Sequence, residues 1–166
     1  MFSTLESWFQ WLYDSSIGVY IRESTYLFPS IECVHVLSIV IFVGSITMFD
    51  LKLLNLVSKE RSIADVHEEI IPWARWSFVF AAIAGLFLFS SNAINYVKNF
   101  EFQMKILFVF LGGINMMIFE IWTSKRMKQW AISSRVPRTA MLAGGVSIIV
   151  WILTVGFGRW VGFTMD

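Results

Sequence analysis

The chain has 166 residues, of which 57% are hydrophobic and 15% charged, with 8 Trp, 16 Phe and a formal net charge of +1. This is too apolar for an ordinary soluble domain of such a length, and the charge balance offers no basic surface to nucleic acid. A single cysteine, Cys33, rules out an internal disulfide.

The first residues, MFSTLESWFQWLYDSS, lack a basic start and an A-x-A-like cleavage site and carry Glu6 and Asp14, so they do not read as a secretory signal. Phe2, Leu5, Phe9 and Leu12 recur at helical spacing, with Trp8, Trp11 and Tyr13 beside them. Residues 1–14 are therefore expected to form an amphipathic helix. It lies either in the membrane interface with its aromatics at headgroup depth or packed over the mouth of a bundle. Residues 15–25 lead into a transmembrane domain that occupies 15–166.

Four spans follow if each crossing needs about 20 apolar residues. They are expected at about 30–57, at 73–96 after Pro72, at 102–122, and at about 140–160 after Pro137, with connections of 15, 5 and 17 residues. Short connections make consecutive helices antiparallel neighbours. The fold class is thus all-α: a polytopic membrane protein built as a four-transmembrane-helix up-and-down bundle with an N-terminal amphipathic interfacial helix. No convincing internal repeat is present. Small residues at Ala81 and Gly85, Gly112 and Gly113, Ala140 and Gly144, and Ala143 and Ser147 allow close helix contact, within one chain or between copies.

Basic residues set the expected orientation. Lys125, Arg126, Lys128, Arg135 and Arg138 crowd the third connection, and Lys59 and Arg61 the first, whereas the second holds only Lys98. Both termini are expected outside a bacterial inner (cytoplasmic) membrane, as a multi-pass protein.

The first span carries Glu32, Cys33 and His35 in its first turns, with His35 about one turn below the rim by the ~1.5 Å rise per residue. Glu32 and His35 stand three apart on one face, continued by Ser38, Phe42, Ser45 and Phe49. Ionisable groups inside a membrane segment cost roughly a few kcal/mol and are normally turned inward and partnered. Antiparallel packing brings Ser90, Ser91, Asn92, Asn95, Met104, Lys105 and Arg159 to the same outer end, where a Glu32 to Arg159 ion pair is one way to satisfy two of them. At the inner end, Asp50 and Lys52 close the first span, and Glu120 with Arg75 forms a structural anchor. His67 is expected as a solvated loop residue, and Asn115, mid-span, as a donor to a neighbouring helix.

The runs FPSIECVHVLSIVIFVGSITMFDLKLL, PWARWSFVFAAIAGLFLFSSNAINY and FEFQMKILFVFLGGINMMIFE, with Gly158-Arg159-Trp160 near the end, resemble a bacterial family of four-span membrane proteins of unknown function. That family is distantly similar to b-type cytochrome and copper-resistance membrane domains. The resemblance spans residues 15 to 163 and is most specific at Glu32-x-x-His35, Val43 to Leu54 and Gly158 to Trp160. Family members often carry histidine where this chain has Glu120.

Three functional readings stand side by side. In the first, His35 is an axial ligand of haem b in an electron-transfer protein, with Arg159 or Lys105 on a propionate. The sixth position then falls to Met104, Met48, nothing, or His35 of a second copy. In this reading Glu32 and Asn92 complete the cofactor-binding set, and His35 is the metal ligand. The second reading is a copper site of His35, Cys33 and a methionine. The third is a non-enzymatic membrane subunit or small-molecule binding protein in which Glu32 and His35 are structural. The partners expected are the lipid bilayer and either further copies of the chain or a larger membrane complex. No phosphate-binding glycine loop, nucleophile elbow, H-E-x-x-H or Cys-x-x-Cys motif is present, which argues against an enzyme acting on its own.

Overall fold

The computed structural model describes residues 2–57, 60–123 and 136–165, and within them every regular element is a helix. Lys59, Lys125, Arg126, Lys128 and Arg135, which carry much of the orientation argument, lie outside the described residues. In chain order the helices are α1 (Phe2–Tyr13), α2 (Ser16–Glu23), α3 (Leu27–Leu53), α4 (Ile63–Ser91), α5 (Ala93–Lys98), α6 (Phe100–Ile118) and α7 (Arg138–Thr164). A π-helical turn, Phe119–Thr123, continues α6. The α3 and α4 helices, α6 with the first part of that turn, and α7 are each long and apolar enough to cross a membrane.

Local chemistry explains the boundaries. The first span opens at Leu27, earlier than expected, because Pro29 falls in the first turn, where a missing N–H costs nothing. It ends in a Schellman motif: Asn55 takes a left-handed φ of 60°, its N–H reaches the Lys52 carbonyl at 3.0 Å, and that of Leu56 reaches Leu51 at 3.0 Å. The second span starts ten residues before the Trp73 expected from Pro72. The Ser62 hydroxyl accepts the Asp65 N–H at 3.1 Å and nucleates the helix there, and α4 runs through Pro72. At its far end, Asn92 adopts φ −148° and ψ 40°, which breaks the helix and starts α5. Asn99 then caps α6, accepting from the Phe102 N–H at 2.8 Å.

The packing order differs from a simple succession of neighbours. Helix α3 packs along α4 and also along α7, and α7 packs along α6. Helices α4 and α6, though joined only through α5, scarcely approach one another. Side chains bridge them at the two ends, by Phe89 on Phe102 (5.5 Å between ring centroids) and Arg75 to Glu120 (2.7 Å). Between these struts lies an apolar groove of about 330 Å³, floored by Phe42 and Trp151 and edged by Phe78, Val79, Gly113 and Met116.

The core centres on Phe42, Phe49, Leu53, Ala74, Phe119 and Trp151, all buried. Three glycines make room for it. A Cβ on Gly112 would stand 2.7 Å from the Trp151 ring, one on Gly144 3.2 Å from the Asp50 carbonyl oxygen, and one on Gly85 3.0 Å from the His35 ring. These close approaches lie within one chain. The N-terminal helices fold over the end of the bundle that holds both termini: α1 against α5, α2 against α4. Arg22 ties them down, donating to the Ser91 carbonyl at 2.9 Å with its guanidinium 4.0 Å from the Tyr13 ring centroid. Trp8 and Trp11, each 65% exposed, remain free for headgroup depth.

Candidate functional site

The two ends of the bundle differ in how they hold their polar residues. At the termini end, Nδ1 of His35 lies 2.8 Å from the Ala81 carbonyl. A carbonyl oxygen only accepts, so Nδ1 carries a proton, and in the neutral ring the lone pair is on Nε2. The ring rests against Gly85, and Lys105 and Glu32 both act on it electrostatically. The stem of Lys105 passes Gly158, and its ammonium lies 6.0 Å from the Phe102 ring centroid.

The remaining residues expected here are dispersed. Glu32 is exposed, whereas Ser38, Phe42 and Phe49 further along α3 are buried. Arg159 is exposed and lies 5.2 Å from the Phe163 ring centroid, so no ion pair joins it to Glu32 among the described residues. Asn92 accepts from Asn95 at 2.9 Å at the break between α4 and α5, and Met104 is part-buried on α6. Cys33 is exposed, while His35 two residues on is turned inward.

The opposite, loop end carries the denser constellation. His67 belongs to α4 and is not the solvated loop residue expected from the sequence, because the helix begins at the Ser62 cap five residues before it. Its side chain is 17% exposed and packs on Phe49, with 5.3 Å between ring centroids. Nε2 stands 3.4 Å from Glu120 Oε1, in ion-pairing range but not aligned as a hydrogen bond. Glu120, brought inward on the π-helical turn, also receives Arg75 at 2.7 Å, which is the anchor anticipated from the sequence. Asn115 donates to the Ala143 carbonyl at 3.1 Å, joining α6 to α7 as expected.

Asp50 and Lys52 are each 4% exposed, so they do not merely close the first span in contact with water. Lys52 Nζ donates to the Arg61 carbonyl at 2.5 Å. Arg61 is paired in turn with Glu69, which holds the guanidinium above its ordinary range. Ser147 on α7 hydrogen-bonds the Asp50 carboxyl, whose Oδ2 has no partner among the described residues. Asp50, His67, Asn115, Glu120 and Ser147 line one cavity of about 30 Å³, which shares Met116 and Trp151 as walls with the groove between α4 and α6. Such a volume holds one or two waters.

Sequence reasoning concentrated on the other end and left this cluster aside. Two signals in the sequence point to it: the Ser62-x-x-Asp65 cap, which makes His67 helical, and Asp50, an acid within an apolar helix.

Four bilayer-length helices, with the Asp50 carboxyl buried and the His67 imidazole half-buried among them, define a polytopic membrane protein that carries polar groups inside its bundle. The chain belongs to the Family of unknown function (DUF6644), which it matches over residues 8–164. No curated protein and no solved structure matches it.

Proposed function

We propose that the chain is a non-enzymatic multi-pass membrane protein that binds a small polar ligand in the loop-end cavity, with His35 serving as a structural clasp between α3 and α4. One observation carries this reading. Asp50 is 4% exposed, and its Oδ2 lacks a partner in a cavity that also contains His67, Asn115 and Glu120. A buried polar atom without a partner costs on the order of 1–3 kcal/mol, and buried acids within membrane helices mark binding and ion pathways. The cavity volume restricts the ligand to the size of water or ammonium. The excess of Lys and Arg in the first and third connections supports placing this end on the cytoplasmic side of a bacterial inner membrane.

Ammonium chloride, compared with sodium chloride at equal ionic strength, should raise the melting temperature of the detergent-solubilised protein by mass action. The rise should vanish in Asp50→Asn. Equal responses in the two proteins would remove the ligand site.

A second reading, haem b on His35 in electron transfer, is favoured by the Nδ1–H bond to Ala81. Metal-ligating histidines commonly donate their other ring nitrogen to a backbone carbonyl and present the remaining lone pair to the metal. In that reading haem would supply the redox chemistry, and His35, through Nε2, and Lys105, as a nearby cation, would hold it. Absorbance spectra of protein from haem-replete cells, before and after dithionite, decide it: a Soret band lost in His35→Ala supports haem, and a colourless protein removes it.

A further inference from the structure

We propose that the loop-end cavity holds a water molecule through which Asp50 is loaded with a proton from the adjacent aqueous phase. This deepens the ligand-site reading and rests on it for the location of the site.

The argument starts from how the polar atoms are arranged. Ser147 from α7 occupies one side of the Asp50 carboxyl, leaving Oδ2 as an open acceptor in the cavity wall. His67 from α4 leaves Nε2 equally without an aligned partner. A buried water makes about three hydrogen bonds, and a cavity of about 30 Å³ lined by these groups and Glu120 gives it both the space and the partners.

The polar groups that line the cavity with Asp50 are His67 from α4, Glu120 from the π-helical turn, Asn115 from α6 and Ser147 from α7. Of the cations nearby, Arg75 on α4 is paired with Glu120, and Lys52 on α3 is held on the Arg61 carbonyl. The Glu120 and His67 side chains keep 27% and 17% of their surface exposed, whereas Asp50 is buried. Glu120 and His67 are therefore the cavity groups that a proton from the aqueous phase meets first.

The step balances without a co-reactant. A proton taken up by the Glu120 and His67 pair passes to the water, the water releases one of its own to Oδ2, and the carboxylate becomes a carboxylic acid. Only O–H and N–H bonds are exchanged. Before the step Oδ2 accepts from the water, and after it the new O–H donates to the water oxygen, so the atom has a partner in both states. Metal chemistry is not needed for this role, and no group of three His, Cys, Asp or Glu side chains is arranged to hold a metal among the described residues.

The test is infrared spectroscopy of the full-length protein in lipid vesicles, titrated from alkaline to acid pH in H2O and D2O. A carboxylic C=O band should appear as pH falls, shift in D2O, be lost in Asp50→Asn, and titrate with a moved midpoint in His67→Gln. Should Asp50→Asn fail to fold, Ser147→Ala supplies the same assignment by shifting the frequency of that band. The proposal is overturned by a carboxylic band that persists in Asp50→Asn, by one indifferent to both His67→Gln and Ser147→Ala, or by no titrating band at all. The ammonium response separates the two claims. A response lost in Asp50→Asn without a titrating band keeps the ligand site and removes the proton, and a titrating band without an ammonium response does the reverse.

Discussion

His35 and Glu120 show how single side chains join the helices of this bundle. The His35 ring reaches from α3 to a carbonyl of α4 and rests closely on Gly85, where a Cβ would stand 3.0 Å from it. Its replacement by alanine is expected to lower stability by about 1 kcal/mol, the scale of an interhelical hydrogen bond in a membrane protein. Thermal unfolding in detergent measures this, and an unchanged melting point would mean that the clasp contributes nothing. Glu120 accepts Arg75 and faces His67, whereas Arg75 is more than half exposed. Removing the acid therefore strands a half-buried imidazole as well as a surface cation. Glu120→Ala should destabilise more than Arg75→Ala, and a double-mutant cycle should show coupling between them of about 1 kcal/mol, reduced by salt. Equal losses from both single variants would place the anchor's worth in Arg75 alone.

For the helices, the informative positions are caps and close approaches. Gly112 and Gly113 are adjacent on α6 but have opposite surroundings: a Cβ on the first would enter the Trp151 ring, and one on the second would meet nothing within 4 Å. Gly112→Ala should cost about 1–3 kcal/mol through overpacking. Gly113→Ala should be neutral or stabilise by up to about 1 kcal/mol through helix propensity. Melting temperatures that move in the same direction would contradict the α6 to α7 contact described here. Ser62→Ala removes the cap that starts α4 and should cost about 1 kcal/mol, with loss of protection from hydrogen exchange confined to the first turns of that helix. That cap was legible as Ser62-x-x-Asp65, but Pro72 is the more conspicuous helix-start signal. In a membrane helix the proline is tolerated, and the cap decides the start.

The bundle as a whole is organised around α3, which contacts both α4 and α7, while α4 and α6 stay apart in their middle portions. Connection length alone predicts that the second and third spans pack together. The short α5 between them lets the spans separate, and the aromatic contacts of Phe42 with Phe78 (5.1 Å) and with Trp151 (4.6 Å) hold α4 and α7 to α3 instead. Orientation is also a property of the whole molecule. With Cys33 replaced by serine, a cysteine at Met165 should react with a membrane-impermeant thiol reagent in intact cells, and one at Glu60 should react only after permeabilisation. The opposite pattern would invert the topology and place the Asp50 cavity on the other side of the membrane.

Hydrophobic run length, aromatic content and turn residues are local properties, and they determined the fold class, the number of spans, the Arg75 to Glu120 anchor and the bond from Asn115. Which polar residues converge is not local, because it depends on the rotation of each helix about its axis and on where a cap starts it. Glu32 and Arg159 were close enough along the bundle axis to be paired on paper, yet both are exposed and no ion pair joins them among the described residues. Asp50, His67, Glu120 and Ser147 come from three helices and a π-helical turn, far apart in the chain. Only the packing of α3, α4 and α7, set by small residues and one aromatic core, brought them around a single cavity.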